Sequence, residues 1–284
     1  MERILSLQLS GELGETRIAF LEQGRGDPIV FVHGLASSSR MWAEKVFPCL
    51  AGAGRLIALD LPGFGQSPAL KQELTVARCA DVVEAFLDAL ALDKPVLVGN
   101  SLGGTIVLTV GGRRPTFLRG IVAQGAVISG ADFTGSDRCL THLGRQWAAR
   151  MPIAKGMIKQ MVVPSLLARV VSWSEAFRWD PRGAAIAVSD YMRCNLNAML
   201  AITEDLLRVD LTDVLKNFSV PVIMVDGNEV TYRPLDTLER IGALLPSGIG
   251  VTRVIQGAGH LAPFVKPHQF ADLVRVFAQK VHPQ

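Results

Sequence analysis

A chain of 284 residues with 49% hydrophobic and 19% charged residues can bury a large core, which excludes a disordered chain and suits one substantial α/β domain carrying an insertion. The net charge is only +3 and the basic residues are scattered, so nothing points to nucleic acid. The four cysteines, Cys49, Cys79, Cys139 and Cys194, lack metal spacing and read as reduced, mostly buried thiols. No run approaches the length of a membrane span, and the first residues lack a secretory signal pattern, so a cytoplasmic protein is expected.

The chain opens with two predicted strands, Ile4 to Leu9 and Thr16 to Leu21, separated by Gly11 and Gly14 and read as an antiparallel hairpin at a sheet edge. Pro28 to Val32 is wholly apolar, the pattern of a parallel strand buried on both faces, and it runs into His33-Gly34-Leu35. A serine-rich loop leads to a helix expected over Met41 to Leu50. Arg55 to Asp60 is a further buried strand, followed by Leu61-Pro62-Gly63-Phe64-Gly65-Gln66-Ser67. Val76, Val83, Phe86, Leu87 and Leu90 share one side at helical spacing, with Thr75 as the N-cap.

Val96 to Gly99 forms the next strand, and Asn100-Ser101-Leu102-Gly103-Gly104 leads from it into a helix. A serine at the tip of such a turn has its oxygen exposed, and the Leu102 N–H points from the helix N-terminus toward any anion formed there. Arg113-Arg114 suits the end of that helix. Leu118 to Ala123 supplies another strand. Strands alternating with helices in this way indicate a mostly parallel sheet covered on both faces.

The rhythm breaks near Gly130 and returns near Val220. Residues 131–212 read as a helical lid inserted into a core of residues 1–130 and 213–284. Leu143, Trp147 and Met151 recur at fourfold spacing, and Asp180-Pro181 marks a helix start whose helix is expected to run to about Met199. Large apolar side chains in this stretch, Trp147 and Tyr191 among them, suggest an apolar cover over the serine. Pro221 to Val225 is then a strand, Pro234 to Leu245 a helix, Val251 to Ile255 the eighth strand and Pro267 to Gln279 a closing amphipathic helix.

The chain resembles the α/β-hydrolase family. The resemblance rests on Phe31-Val32-His33-Gly34, on Asp60 to Ser67, on Gly99 to Gly104 and on Gly257-Ala258-Gly259-His260, which occur in the family's order. It implies an eight-stranded, mostly parallel twisted sheet flanked by helices, with a helical lid. It also implies that Ser101 is the nucleophile, that His260 is its general base, and that the Leu35 and Leu102 N–H groups form an oxyanion hole. His33 and Asp60 are expected to support loops.

The third member of the triad is where this sequence departs from the family. The spacing from Gly227 to Pro234 puts Val230 at the usual acid position, and valine cannot orient an imidazole. The site some relatives use instead, at the end of the preceding strand, reads Ala123-Gln124-Gly125 and holds no carboxylate. Gln124 offers only a neutral hydrogen-bond acceptor to the imidazole. Glu229 beside the usual position and Asp226 at the strand end are the remaining candidates.

The favoured function is a serine hydrolase acting on an ester, thioester or lactone of a small, largely apolar molecule. The same pocket with an incomplete triad also suits non-hydrolytic or carbon–carbon bond chemistry, such as cyclisation or β-diketone cleavage, or ligand binding with little turnover. His33, Gly34, Asn100, Gln124, Asp226, Val230, Trp147 and Tyr191 are the candidate pocket residues. No metal or cofactor is implied, because the histidines show no ligand spacing and Gly99 to Gly104 lacks a phosphate-loop lysine. The expected partner is a small-molecule substrate; oligomeric state is not legible.

Overall fold

In the computed structural model, which describes residues 2–9, 14–130, 181–230 and 236–281, strand β1 (Glu2–Gln8) pairs antiparallel with β2 (Glu15–Gln23), giving the edge hairpin expected from the alternating sequence. The remaining six strands run parallel to one another. These are β3 (Pro28–Val32), β4 (Arg55–Leu59), β5 (Val96–Asn100), β6 (Gly120–Gln124), β7 (Val222–Gly227) and β8 (Gly250–Ile255). The eight strands form one sheet in the order β1-β2-β4-β3-β5-β6-β7-β8. Only β2 runs against the rest.

Alternate residues of the central strands feed two cores. Val30, Val32, Leu97, Ile121, Ala123 and Met224 pack on one face with α2 (Val76–Ala89) and α3 (Leu102–Arg113). Ile29, Phe31, Val98, Val122, Ile223 and Val225 pack on the other with α1 (Ser39–Lys45) and the C-terminal helix of Pro267–Lys280. Trp42 of α1 lies in this second core, fully buried, with its ring centroid 5.2 Å from that of Phe31. Burial on both faces is why these strands read as continuous apolar runs.

Between β6 and β7 the described residues form α4 (Pro181–Arg193), α5 (Leu196–Leu206) and α6 (Thr212–Lys216). The helix expected to run from Asp180 to about Met199 is two helices. Asn195 breaks it: its backbone N–H donates to the Gly63 carbonyl at 2.7 Å, and its side chain accepts from Ala198 N to cap α5. Likewise the helix expected over Met41 to Leu50 ends at Lys45, and Phe47–Leu50 tightens into a 3₁₀ turn with Pro48 near its start. Thr75 does cap α2, accepting from Arg78 N. The helix after β7 is shorter than expected: α7 is Thr237–Gly242, and Leu244 and Leu245 then bond back three residues as turns. Ala262–Val265 forms the single turn α8, leading into α9, the helix of Pro267–Lys280. The expected Leu143, Trp147 and Met151 helix lies outside the described residues. No helix among the described residues is long and apolar enough to cross a membrane.

The strand order reverses direction between β3 and β5, because β4 lies on one side of β3 and β5 and β6 on the other. In open parallel sheets the crevice beyond the carboxyl ends of the strands at such a point is where ligands bind. Here those ends are His33-Gly34 and Asn100-Ser101.

Candidate active site

Ser101 occupies the turn between β5 and α3 with φ 55° and ψ −119°, a conformation that side-chain-bearing residues rarely adopt. It is held by bonds on either side. Its N–H donates to the Gln124 carbonyl at 2.7 Å, and its carbonyl accepts from Thr105 N at 3.1 Å, starting the helix. The turn is so close to β3 that a Cβ on Gly103 would lie 2.1 Å from the Val32 carbonyl oxygen, so only glycine fits. Leu102, the first residue of α3, contributes one of the N–H groups that a helix start leaves without an intrahelical partner. The loop after β3 runs alongside: a Cβ on Gly34 would be 3.2 Å from the Ser101 Cβ, and Leu35 follows, partly buried.

This loop rests on a cluster of buried polar groups. His33 is fully buried. Its Nε2 accepts from Leu61 N at 3.0 Å, so its Nδ1 carries the proton and donates to the Gly34 carbonyl at 2.8 Å. Burial lowers the His33 pKa from its ordinary value, and the opposing pulls of Asp60, the Gly34 carbonyl and Asp190 do not restore it. Asp60 accepts from Ser39 N at 2.7 Å and from Gln66 N at 2.8 Å, tying the loops after β3 and β4 together. Both residues therefore hold backbone.

Asp190 of α4 joins the same cluster. It accepts from Ser38 Oγ at 2.5 Å and from Arg40 Nη1 at 3.1 Å, and it is 1% exposed. Burial raises its carboxyl above the ordinary range, against the pulls of Ser38, Arg40 and His33. Sequence reading passed over Asp190. Its available signal was an acidic residue on the otherwise apolar side of an amphipathic helix, but its partners are some 150 residues away in the chain.

His260 follows β8 in the turn before α8 and is buried, 4% exposed. Its main-chain carbonyl accepts from Gln124 Nε2 at 3.0 Å and from Asn100 Nδ2 at 3.4 Å. Asn100 Nδ2 also donates to Gln124 Oε1, so both amides are engaged with each other and with the histidine backbone. The Gln124 oxygen, considered from sequence as an acceptor for the imidazole, is thus taken up by Asn100. The imidazole itself packs against the end of β6: a Cβ on Gly125 would lie 2.9 Å from both Nδ1 and Cε1 of His260.

The β7 turn reaches the same loop through its backbone. Glu229 N donates to the Ala258 carbonyl at 2.9 Å, and Gly257 N donates to Asn228 Oδ1 at 2.7 Å, so Glu229 and Val230, both half-buried, adjoin the segment that carries His260. Asp226 is buried at the end of β7, in register with Val254 of β8. Tyr191 on α4 is partly buried against the α2–α3 core, and burial pushes its hydroxyl up to about 12. Trp147 lies outside the described residues.

Comparison with known proteins gives a consistent family. A sequence profile of the alpha/beta hydrolase fold matches residues 27–267. The chain is 28% identical over 270 residues to a pimeloyl-[acyl-carrier protein] methyl ester esterase of Yersinia pseudotuberculosis, covering 90% of this chain and 95% of that protein. It is 34% identical over 173 residues to a haloalkane dehalogenase of Sphingobium indicum, a match spanning 58% of each chain. In structure it is similar to a thermophilic esterase from Thermogutta terrifontis, with a TM-score of 0.84, 24% identity, and 99% and 100% of the two chains covered. With four motifs in order, an eight-stranded sheet and a strained serine at its switch point, the chain belongs to the alpha/beta hydrolase fold family.

Proposed function

We propose that the protein is a serine hydrolase that cleaves an ester, thioester or lactone of a small, largely apolar molecule through an acyl-enzyme. The observation that carries this reading is the left-handed backbone of Ser101 at the start of α3. Such strain costs of order 1–3 kcal/mol, persists only where the surrounding structure holds it, and clusters at active sites. Ser101 Oγ attacks the acyl carbon, His260 takes its proton and later returns it to the leaving group, and the Leu35 and Leu102 N–H groups receive the oxyanion. Glu229, whose backbone bonds the loop of His260, supplies negative charge for the imidazolium in this reading. Residues 131–212 would cover the pocket, and residues 1–130 and 213–284 would form the core.

Two relatives with different activities make the choice of nucleophile informative. A serine that displaced halide from a saturated carbon would be left as an alkyl ether, which the site has no means to hydrolyse. A serine ester formed from an acyl group is hydrolysed readily. Ser101 therefore favours the esterase relative over the dehalogenase. No comparison lends support to a cyclase or lyase.

The test is a short-chain aryl ester followed through burst and steady state, with fluorophosphonate labelling in parallel. A burst and a label on wild type, both absent from Ser101→Ala, are expected. Equal inertness of the two proteins, with no label on either, would overturn the reading.

A further inference from the structure

With valine at the usual acid position, the question is what holds the proposed base in place. Gln124 is fully buried at the end of β6, where an apolar residue would complete the strand at no hydrogen-bonding cost. Its main-chain carbonyl holds Ser101 N at 2.7 Å, while its side-chain Nε2 holds the His260 carbonyl at 3.0 Å. One residue thus ties the nucleophile's backbone to that of the base. Asn100 reinforces the tie. It is the register partner of Gln124 across β5 and β6, and its Nδ2 donates both to Gln124 Oε1 and to the same His260 carbonyl. Gly125, with φ 59°, completes the seat: any side chain there would enter the space of the Nδ1–Cε1 edge of the ring.

We infer that Gln124, supported by Asn100 and by the slot at Gly125, is the positioning residue that sets His260 relative to Ser101, through the histidine's main chain and the shape around its ring. The inference deepens the proposed function and rests on its assignment of Ser101 and His260. A neutral amide pair fixes orientation without offsetting the imidazolium charge, so its contribution lies in geometry. Misplacement of a catalytic group by about 1 Å costs on the order of a hundredfold.

The experiment uses Gln124→Met, which keeps the volume and removes both hydrogen-bonding groups, and Gly125→Ala, which adds a methyl where the ring lies. Rates on a short-chain aryl ester are counted per fluorophosphonate-titrated site. Imidazole nitrogen signals of His260 are read by NMR, assigned with His260→Gln. For Gln124→Met, kcat is expected to fall about ten- to a hundredfold with KM within about twofold, and the His260 signals to shift or broaden. Gly125→Ala is expected to lose about a hundredfold or more by displacing the ring. Asn100→Ala combined with Gln124→Met should cost less than the sum of the two alone, because either one already removes the bond between the two amides.

A role confined to folding would lower the melting temperature while leaving kcat per site and the His260 signals as in wild type, and that result overturns the inference. If wild type itself neither turns over nor labels, the hydrolase reading falls, and the NMR comparison alone decides whether Gln124 seats His260. If wild type is active and the signals of Gln124→Met are unmoved, the inference falls and the hydrolase reading stands.

Discussion

The two flanks of Ser101 are built from different chemistry. On the β3–β4 side, the loop carrying Leu35 rests on a buried imidazole and carboxyl side chains: His33, Asp60, and Asp190 with Arg40. On the β6–β8 side, the segment carrying His260 rests on two neutral amides and on backbone bonds from the Asn228-Glu229 turn. Buried ionisable groups gain or lose interaction with pH, whereas amides do not. The difference implies that a change of pH first loosens the loop carrying Leu35, while the amide bonds to the His260 backbone keep their geometry.

The largest expected effect lies where the flanks meet. Ser101→Ala should lower kcat on an aryl ester to background, a loss of at least about a hundredfold, less than the roughly 10⁶-fold of a complete triad because the effects of triad members are not additive, with the melting curve preserved. Breaking the charged flank comes next. Asp190→Ala removes the acceptor of Ser38 Oγ and Arg40 and should cost about 2 kcal/mol in urea unfolding. Glu229→Gln tests whether the amide flank also needs a charge: kcat should fall about tenfold at constant KM, far less than the roughly 10⁴-fold seen when a buried triad acid is lost.

The pH dependence sharpens the contrast. The folded pKa of His33 lies below its ordinary 6.5, so its contribution is present above that pH and is lost as pH falls through the folded value. Chemical unfolding from pH 8 to pH 5 should show stability declining on the acid side, by at most about 1.4 kcal/mol per pH unit from this group, and His33→Gln should flatten the decline. Asp190 has the opposite sign. Its pKa is raised from 3.8, so its contribution is present below that pH and is lost as pH rises through the folded value. Asp190→Asn should therefore steepen the acid-side decline that His33 produces. Substitutions at Gln124 should leave the shape of both profiles unchanged.

Much of this architecture was legible in the sequence because local pattern and global position agree. Apolar runs without alternation mark strands buried on both faces, as with Val30 and Phe31, which face opposite cores. Thr75 marks the start of α2 by its own side chain. Reading failed where a distant group decides a local matter. Asn195 divides α4 from α5 because the Gly63 carbonyl and the α5 cap claim it together, and Gly63 lies in a loop far back in the chain. The turn that carries Ser101 was visible as a glycine-flanked serine after a strand. The seat of His260 was not, because Gln124 looked like the absence of a carboxylate and Gly125 like a turn residue. Their role exists only once β5, β6 and the loop after β8 are brought together.

The left-handed backbone of Ser101 also sets heat resistance and chemistry against each other at one position. Ser101→Gly would release torsional strain of order 1–3 kcal/mol and give back part of it in the freedom glycine gains when unfolded, a net stabilisation of about 1 kcal/mol. The melting temperature should rise as turnover disappears. A library of this protein selected for thermal tolerance alone would accumulate glycine at residue 101, so such a selection needs activity measured in the same round.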